Sequence, residues 1–359
     1  MADLQPVTHH PPPATLASYN LSMLNWRRLA RVFFRYLLPA VIIIVVGYKF
    51  YDILSKPELR NATYACRLGW LFPAALLYLI THTLWATFWV LLLRHQGFHS
   101  TYPTGWRAYF VSQYGKYIPG KVWVILIRMV MLGASRKDKT IVGVTATYET
   151  LTSMAAGAIL GAILLPLLDM NLQSIEGFGA LNYVLIVVAL VPLSLGLMHR
   201  TVVRIARRKM GPDAEKIPNL NLLLLIRGLV QAAAGYFLLG LSLWMTVQAI
   251  RPDTVAFAWN DLLRMTAIAS IAYVAGFLAF FLPGGVGARE YVIVVLLTLE
   301  LEPELTRPIA EKLAVIISLV LRVVWTTAEA ILILMLLLYR YIPGVKRPSL
   351  IPPAKELAE

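Results

Sequence analysis

Apolar runs of about 20 residues, the length that crosses a hydrocarbon core of roughly 30 Å, recur along this chain and constrain its fold more than any other feature. Leu37 to Leu54 and Trp70 to Leu93 are two of them. Only structures that satisfy every backbone polar group internally survive in hydrocarbon, so such runs are read as helices. The fold class expected is an all-α integral membrane protein. Hydrophobic residues make up 58% of the sequence and charged ones 14%, far from the roughly 45–50% and 25% of soluble domains. The net charge of +14 is therefore assigned to topology and to anionic lipid headgroups, and nucleic acid is not expected as a partner.

Six full spans are predicted, at about 36–54, 69–93, 140–166, 181–198, 222–250 and 313–340. Two further apolar stretches are interrupted: Trp106 to Leu132 by Pro119-Gly120, and Leu262 to Leu299 by Pro283-Gly284-Gly285. Proline removes a backbone donor and glycine frees the chain, so each stretch is expected to break at membrane depth, against protein or a watery cavity. The two are read as broken re-entrant hairpins, with eight or more spans as the alternative.

Lys and Arg concentrate in cytoplasmic segments. With the N-terminus inside, nineteen fall on the inner side and six on the outer, which places both termini in the cytosol. Three spans and one broken hairpin stand on each side of the loop at 168–180, and an odd number of spans per half inverts the second half. The expected organisation is a disordered cytosolic tail at 1–21, an interfacial helix and first repeat over 22–166, an inverted second repeat over 181–341, and a cytosolic tail at 342–359. Ile118-Pro119-Gly120-Lys121-Val122 answers to Leu282-Pro283-Gly284-Gly285-Val286.

Charged groups inside hydrocarbon are costly, and each is a functional candidate. Lys116, Lys121 and Arg128 flank the first break; Arg289 and Glu290 follow the second, with Gly287 between. These five are assigned to substrate binding, with Lys121, Arg128 and Arg289 lining a cationic vestibule. Glu149 lies ten residues after Lys139 and Arg322 ten after Lys312, each lysine taken to start a span. At about 1.5 Å per residue both acid and base reach the midplane, so a Glu149–Arg322 pair joining the halves is expected, with Glu329 two turns from Arg322 as its exchange partner. These three are assigned to gating or coupling.

Other signals are discounted. Gly115 to Val122 resembles a phosphate-binding loop but carries Val122 where a magnesium-holding hydroxyl belongs. No cofactor is expected. His95 and His99 have no carboxylate close in sequence, and a single cysteine, Cys66, excludes an intrachain disulfide or cysteine zinc site, so no metal is expected. His82 reads as a packing residue, and Gly157 with Gly161 as close helix packing. The basic stretch 200–216 reads as a lipid anchor.

The segment Gly115-Lys116-Tyr117-Ile118-Pro119-Gly120-Lys121, the segment Pro283 to Glu290, and the intramembrane Glu149 and Arg322 resemble the flippase-like family. This is the lysylphosphatidylglycerol synthase transmembrane region, the N-terminal part of the bacterial multiple peptide resistance factor. The resemblance covers Arg35 to Tyr341, and departs from it at Trp123-Val124, where many members carry Gly-Glu. It implies translocation of a phospholipid, aminoacyl-lipid or lipid-linked precursor between leaflets of a bacterial-type cytoplasmic membrane. It also implies that a separate enzyme, rather than this chain, modifies the lipid; a homo-oligomer is left open. The rival readings are a secondary transporter for a small soluble anion and a membrane-embedded transferase acting on a lipid-linked substrate.

Overall fold

The computed structural model describes residues 67–118, 122–135, 138–168, 221–251, 258–279 and 282–338, with single positions at 48, 51 and 186. The interfacial helix, the spans expected at 36–54 and 181–198, the basic stretch 200–216 and both tails lie outside the described residues. So do Pro119, Gly120 and Lys121.

Eight α-helices and no strand are found among the described residues. In chain order they are α1 (Leu68–His95), α2 (Tyr102–Ser112), α3 (Val122–Met131), α4 (Asp138–Leu167), α5 (Leu222–Ile250), α6 (Trp259–Leu278), α7 (Ala288–Leu301) and α8 (Arg307–Leu338). Short 3-10 turns at Gln113–Tyr117 and Pro283–Gly285 separate α2 from α3 and α6 from α7. Five helices, α1, α4, α5, α6 and α8, are long and apolar enough to cross a membrane.

The spans expected at 69–93, 140–166 and 222–250 fall on α1, α4 and α5. The span expected from residue 313 instead begins at Arg307, because the Thr306 carbonyl already accepts from the backbone N–H of Ala310 and opens the helix there. Lys312 is thus no end marker; it is buried inside α8. The stretch from Leu262 contains a 20-residue helix, α6, that is span-length by itself.

α1 and α5 form the most extensive pair, and α6 packs on both α5 and α4. Lipid is as apolar as leucine, so helices in a bilayer are held by close packing and interhelical hydrogen bonds. The core shows both. Ser242 on α5 donates to the Ala74 carbonyl of α1 at 2.8 Å and accepts from Trp325 of α8 at 3.0 Å. Tyr236 donates to the Ser153 carbonyl of α4 at 3.2 Å, and a Cβ on Gly157 would lie 2.7 Å from the Tyr236 ring. Gly157, as expected, is a packing residue, and its partners are α5 and α6 of the same chain.

Gly240 marks a close approach of α5 and α6, where an added Cβ would stand 2.6 Å from the Thr266 Cα and 2.7 Å from its nitrogen. Backbone cannot rotate away. Gly240→Ala should therefore lose about 1–3 kcal/mol to overpacking, more than the roughly 1 kcal/mol that alanine returns in helix propensity. The expected result is a lower unfolding temperature in detergent; a variant as stable as the parent would show that the helices do not meet there.

Candidate functional site

Both interrupted stretches are broken within the described residues. At the first, α2 tightens into the 3-10 turn and Ile118 turns extended (φ −90°, ψ 132°). A Cβ on Gly115 would stand 2.5 Å from the Val124 nitrogen, so the turn lies directly against the start of α3. At the second, Gly284 (φ 60°), Gly285 (φ 67°) and Gly287 (φ 89°) all occupy left-handed backbone. A side chain there would also strike backbone: a Cβ on Gly285 would stand 2.6 Å from the Gly276 carbonyl oxygen. The turns touch, since Tyr117 of the first packs against Gly284 of the second.

The charged residues converge on this junction in three pairs, of which Arg128–Glu149 is buried on both sides while Lys116 and Arg322 are half-buried. Arg128 donates to Glu149 at 3.0 Å and, through Nε, to the Ser112 hydroxyl at 3.2 Å. Its guanidinium also lies 4.4 Å from the Trp89 ring centre and 4.5 Å from that of Tyr109. Lys116 meets Glu329 at 2.5 Å, and Tyr78 donates to the same carboxylate oxygen at 2.8 Å. Arg322 reaches Glu290 at 3.2 Å and donates to the Gly284 carbonyl at 3.2 Å. Glu290 in turn accepts from the Gly287 N–H at 2.6 Å, capping the start of α7.

The expected Glu149–Arg322 pair is thus corrected: Glu149 takes Arg128 and Arg322 takes Glu290. Equal depth did not suffice, because depth counts rise along an axis and says nothing of the direction in which each helix turns its side chain. The depth was also misjudged, as Arg322 stands fifteen residues from the start of α8 rather than ten from Lys312. Glu329 holds Lys116 while Glu149 holds Arg128, so the two carboxylates have different cations in this structure. Through Glu329 and Arg322, two turns apart, α8 clasps both breaks.

Arg289 stands apart. It lies 4.2 Å from the Tyr273 ring centre, its Nε is buried without a hydrogen-bond partner, and it has no carboxylate partner among the described residues. Gly276 makes room for it, since a Cβ there would lie 3.3 Å from its Cβ and Nε. Four cations and three carboxylates meet around the breaks, leaving one positive charge uncompensated among the described residues.

A cavity of about 320 Å³ opens between the breaks, with Lys116, Arg128, Glu149 and Arg289 in its wall. Glu290, Arg322 and Glu329 are not among the residues that line it. Tyr109, Gln113 and Tyr273 add to the polar lining, with Thr147, Thr150 and Ser153, and were not anticipated from the sequence. Their signal was present: a tyrosine or glutamine inside an apolar run buries a polar handle that needs a partner. A further pair, Arg264–Glu300 at 3.0 Å, ties α6 to α7 away from the cavity. His82 is buried among Tyr78, Trp85, Tyr109 and Tyr273, in keeping with a packing role.

No curated protein matches the chain. Residues 32–326 match the family described as the lysylphosphatidylglycerol synthase TM region, and with its membrane-length helices this integral membrane protein belongs to that lipid-related family.

Proposed function

We propose that the protein translocates a lipid headgroup between leaflets through the cavity between its two breaks. A phospholipid crosses a bilayer slowly because its headgroup must leave water, and an isolated charge in hydrocarbon costs tens of kcal/mol by Born solvation. A polar cavity at membrane depth removes most of that cost. The volume of about 320 Å³ lies at the small end of ligand pockets, roughly 300–1,000 Å³, so it takes a headgroup and leaves the acyl chains in lipid.

The observation that carries this reading is the wall at Val122. That residue lines the cavity and is 63% exposed, at the head of an apolar outer face with Trp123, Leu126 and Val130. A site reached across such a face suits a lipid entering sideways, whereas a soluble anion would need a polar approach. Within this reading the two broken stretches are re-entrant hairpins of inverted repeats, six helices cross fully, and both termini face the cytosol of a bacterial-type cell. The protein then acts as a transporter and not as an enzyme, passively or coupled to an ion, on lipid modified elsewhere.

A leaflet-resolved assay tests it. Proteoliposomes containing the purified protein alone should expose inner-leaflet fluorescent phosphatidylglycerol to an external quencher well ahead of protein-free vesicles. Equal rates in the two preparations would defeat the proposal.

A further inference from the structure

The contact between the two breaks has the build of a closure. We infer that the Tyr117 ring, packed on Gly284, shuts the passage from the cavity to the opposite leaflet, and that α8 controls it by holding both tips at once. This rests on the reading of the cavity as a lipid site.

Gly284 lines the cavity, whereas Tyr117, Arg322 and Glu329 do not, so the contact stands at the cavity's edge. It leaves no gap. A single carbon added to Gly284 would already crowd the Tyr117 ring, at 3.1 and 3.2 Å, and the Arg322 guanidinium, at 3.0 Å. A headgroup in the cavity therefore cannot pass between the tips until the ring moves away. Glycine is required at this position twice over, for the close approach and for the left-handed backbone (φ 60°).

Each side of the contact is tied to α8. Lys116, next to Tyr117, pairs with Glu329 at 2.5 Å, and its ammonium lies 5.3 Å from the centre of the Tyr117 ring. Arg322, two turns before Glu329, donates to the Gly284 carbonyl at 3.2 Å and pairs with Glu290 at 3.2 Å. One helix thus sets the spacing of both tips, and a small shift or rotation of it slackens them together. These pairs are also less enclosed than Arg128–Glu149: the Lys116 and Arg322 side chains are 19% and 17% exposed, against 3% for Arg128. Less packing has to yield before they part.

Two readouts test the closure. In the leaflet assay with fluorescent phosphatidylglycerol, Y117A should raise the rate about tenfold, because opening is the step that limits passage, while Y117F, which keeps the ring, should stay within about twofold of the parent. E329Q should also raise the rate, and should add nothing in the Y117A background, since both changes act on one closure. The second readout needs no lipid movement. In a C66S background, T147C places a thiol in the cavity wall, and a membrane-impermeant maleimide is applied to right-side-out and to inverted membrane vesicles. The thiol should react about tenfold faster in one vesicle type than in the other, and Y117A should bring the two rates within about twofold. Equal rates without Y117A, or a sidedness that survives Y117A, would overturn the inference, and an E329Q effect that persists in Y117A would remove α8 from its control. Loss of sidedness in Y117A with no faster lipid movement keeps the closure and removes the lipid as its cargo.

Discussion

Replacing Arg128 with methionine should cost about 3–5 kcal/mol of stability, the penalty for leaving a buried carboxylate without its counter-charge. Arg128 is 2% exposed and Glu149 4%, so protein shields most of both charged groups. The guanidinium also bridges elements: it leaves α3, reaches Ser112 at the end of α2 and Glu149 on α4, and is held between Trp89 of α1 and Tyr109. Thermal and denaturant unfolding in detergent should show the loss directly. Converting both partners, as R128M/E149M, should recover most of it, because an apolar pair of similar volume is often as stable as a buried ion pair. A single mutant within about 1 kcal/mol of the parent would mean that the pair does not hold the hairpin to α4.

Arg289→Ala should reduce translocation on the order of a hundredfold with little change in unfolding temperature. Arg289 has no carboxylate partner among the described residues, so its loss strands no buried charge there, in contrast to Arg128. What is lost is a charge-assisted contact to the headgroup, and removing one partner of such a contact costs about 2–5 kcal/mol. At roughly 1.4 kcal/mol per tenfold, the middle of that range is a hundredfold or more in rate. Initial rates of quencher access, compared at equal protein per vesicle, make the measurement. A variant at the wild-type rate would take this guanidinium out of the transport path.

The contrast between the two arginines shows how far residue order reached. Pro283-Gly284-Gly285 announced a break, and the structure puts three positive-φ glycines between α6 and α7. The hydropathy of 69–93, 140–166 and 222–250 placed α1, α4 and α5 to within two residues. Such features are local: a proline lacks its donor, and a glycine tolerates left-handed backbone, whatever surrounds them. The charged residues near the breaks were likewise conspicuous, because ionisable groups in apolar runs are rare.

Which of them are partners was not legible. Glu149 and Arg322 were matched by distance along their helices, yet Arg128 lies 3.0 Å from the first and Glu290 3.2 Å from the second. Tyr273 gave no hint that it would lie under Arg289, and Tyr78 none that it would hydrogen-bond Glu329.

The chain's order of residues alone determined that it lives in a bilayer as helices, where α1, α4 and α5 run, and that the stretch after α6 breaks at Pro283-Gly284-Gly285. Tertiary structure alone decided that three carboxylates are spent on neighbouring cations and that, among the described residues, the Arg289 guanidinium beside the cavity has no carboxylate partner. The physical reason is range. Hydropathy and backbone freedom act within a few residues, whereas a charge in a low-dielectric interior responds to whichever opposite charge packing brings within about 4 Å, however distant in sequence.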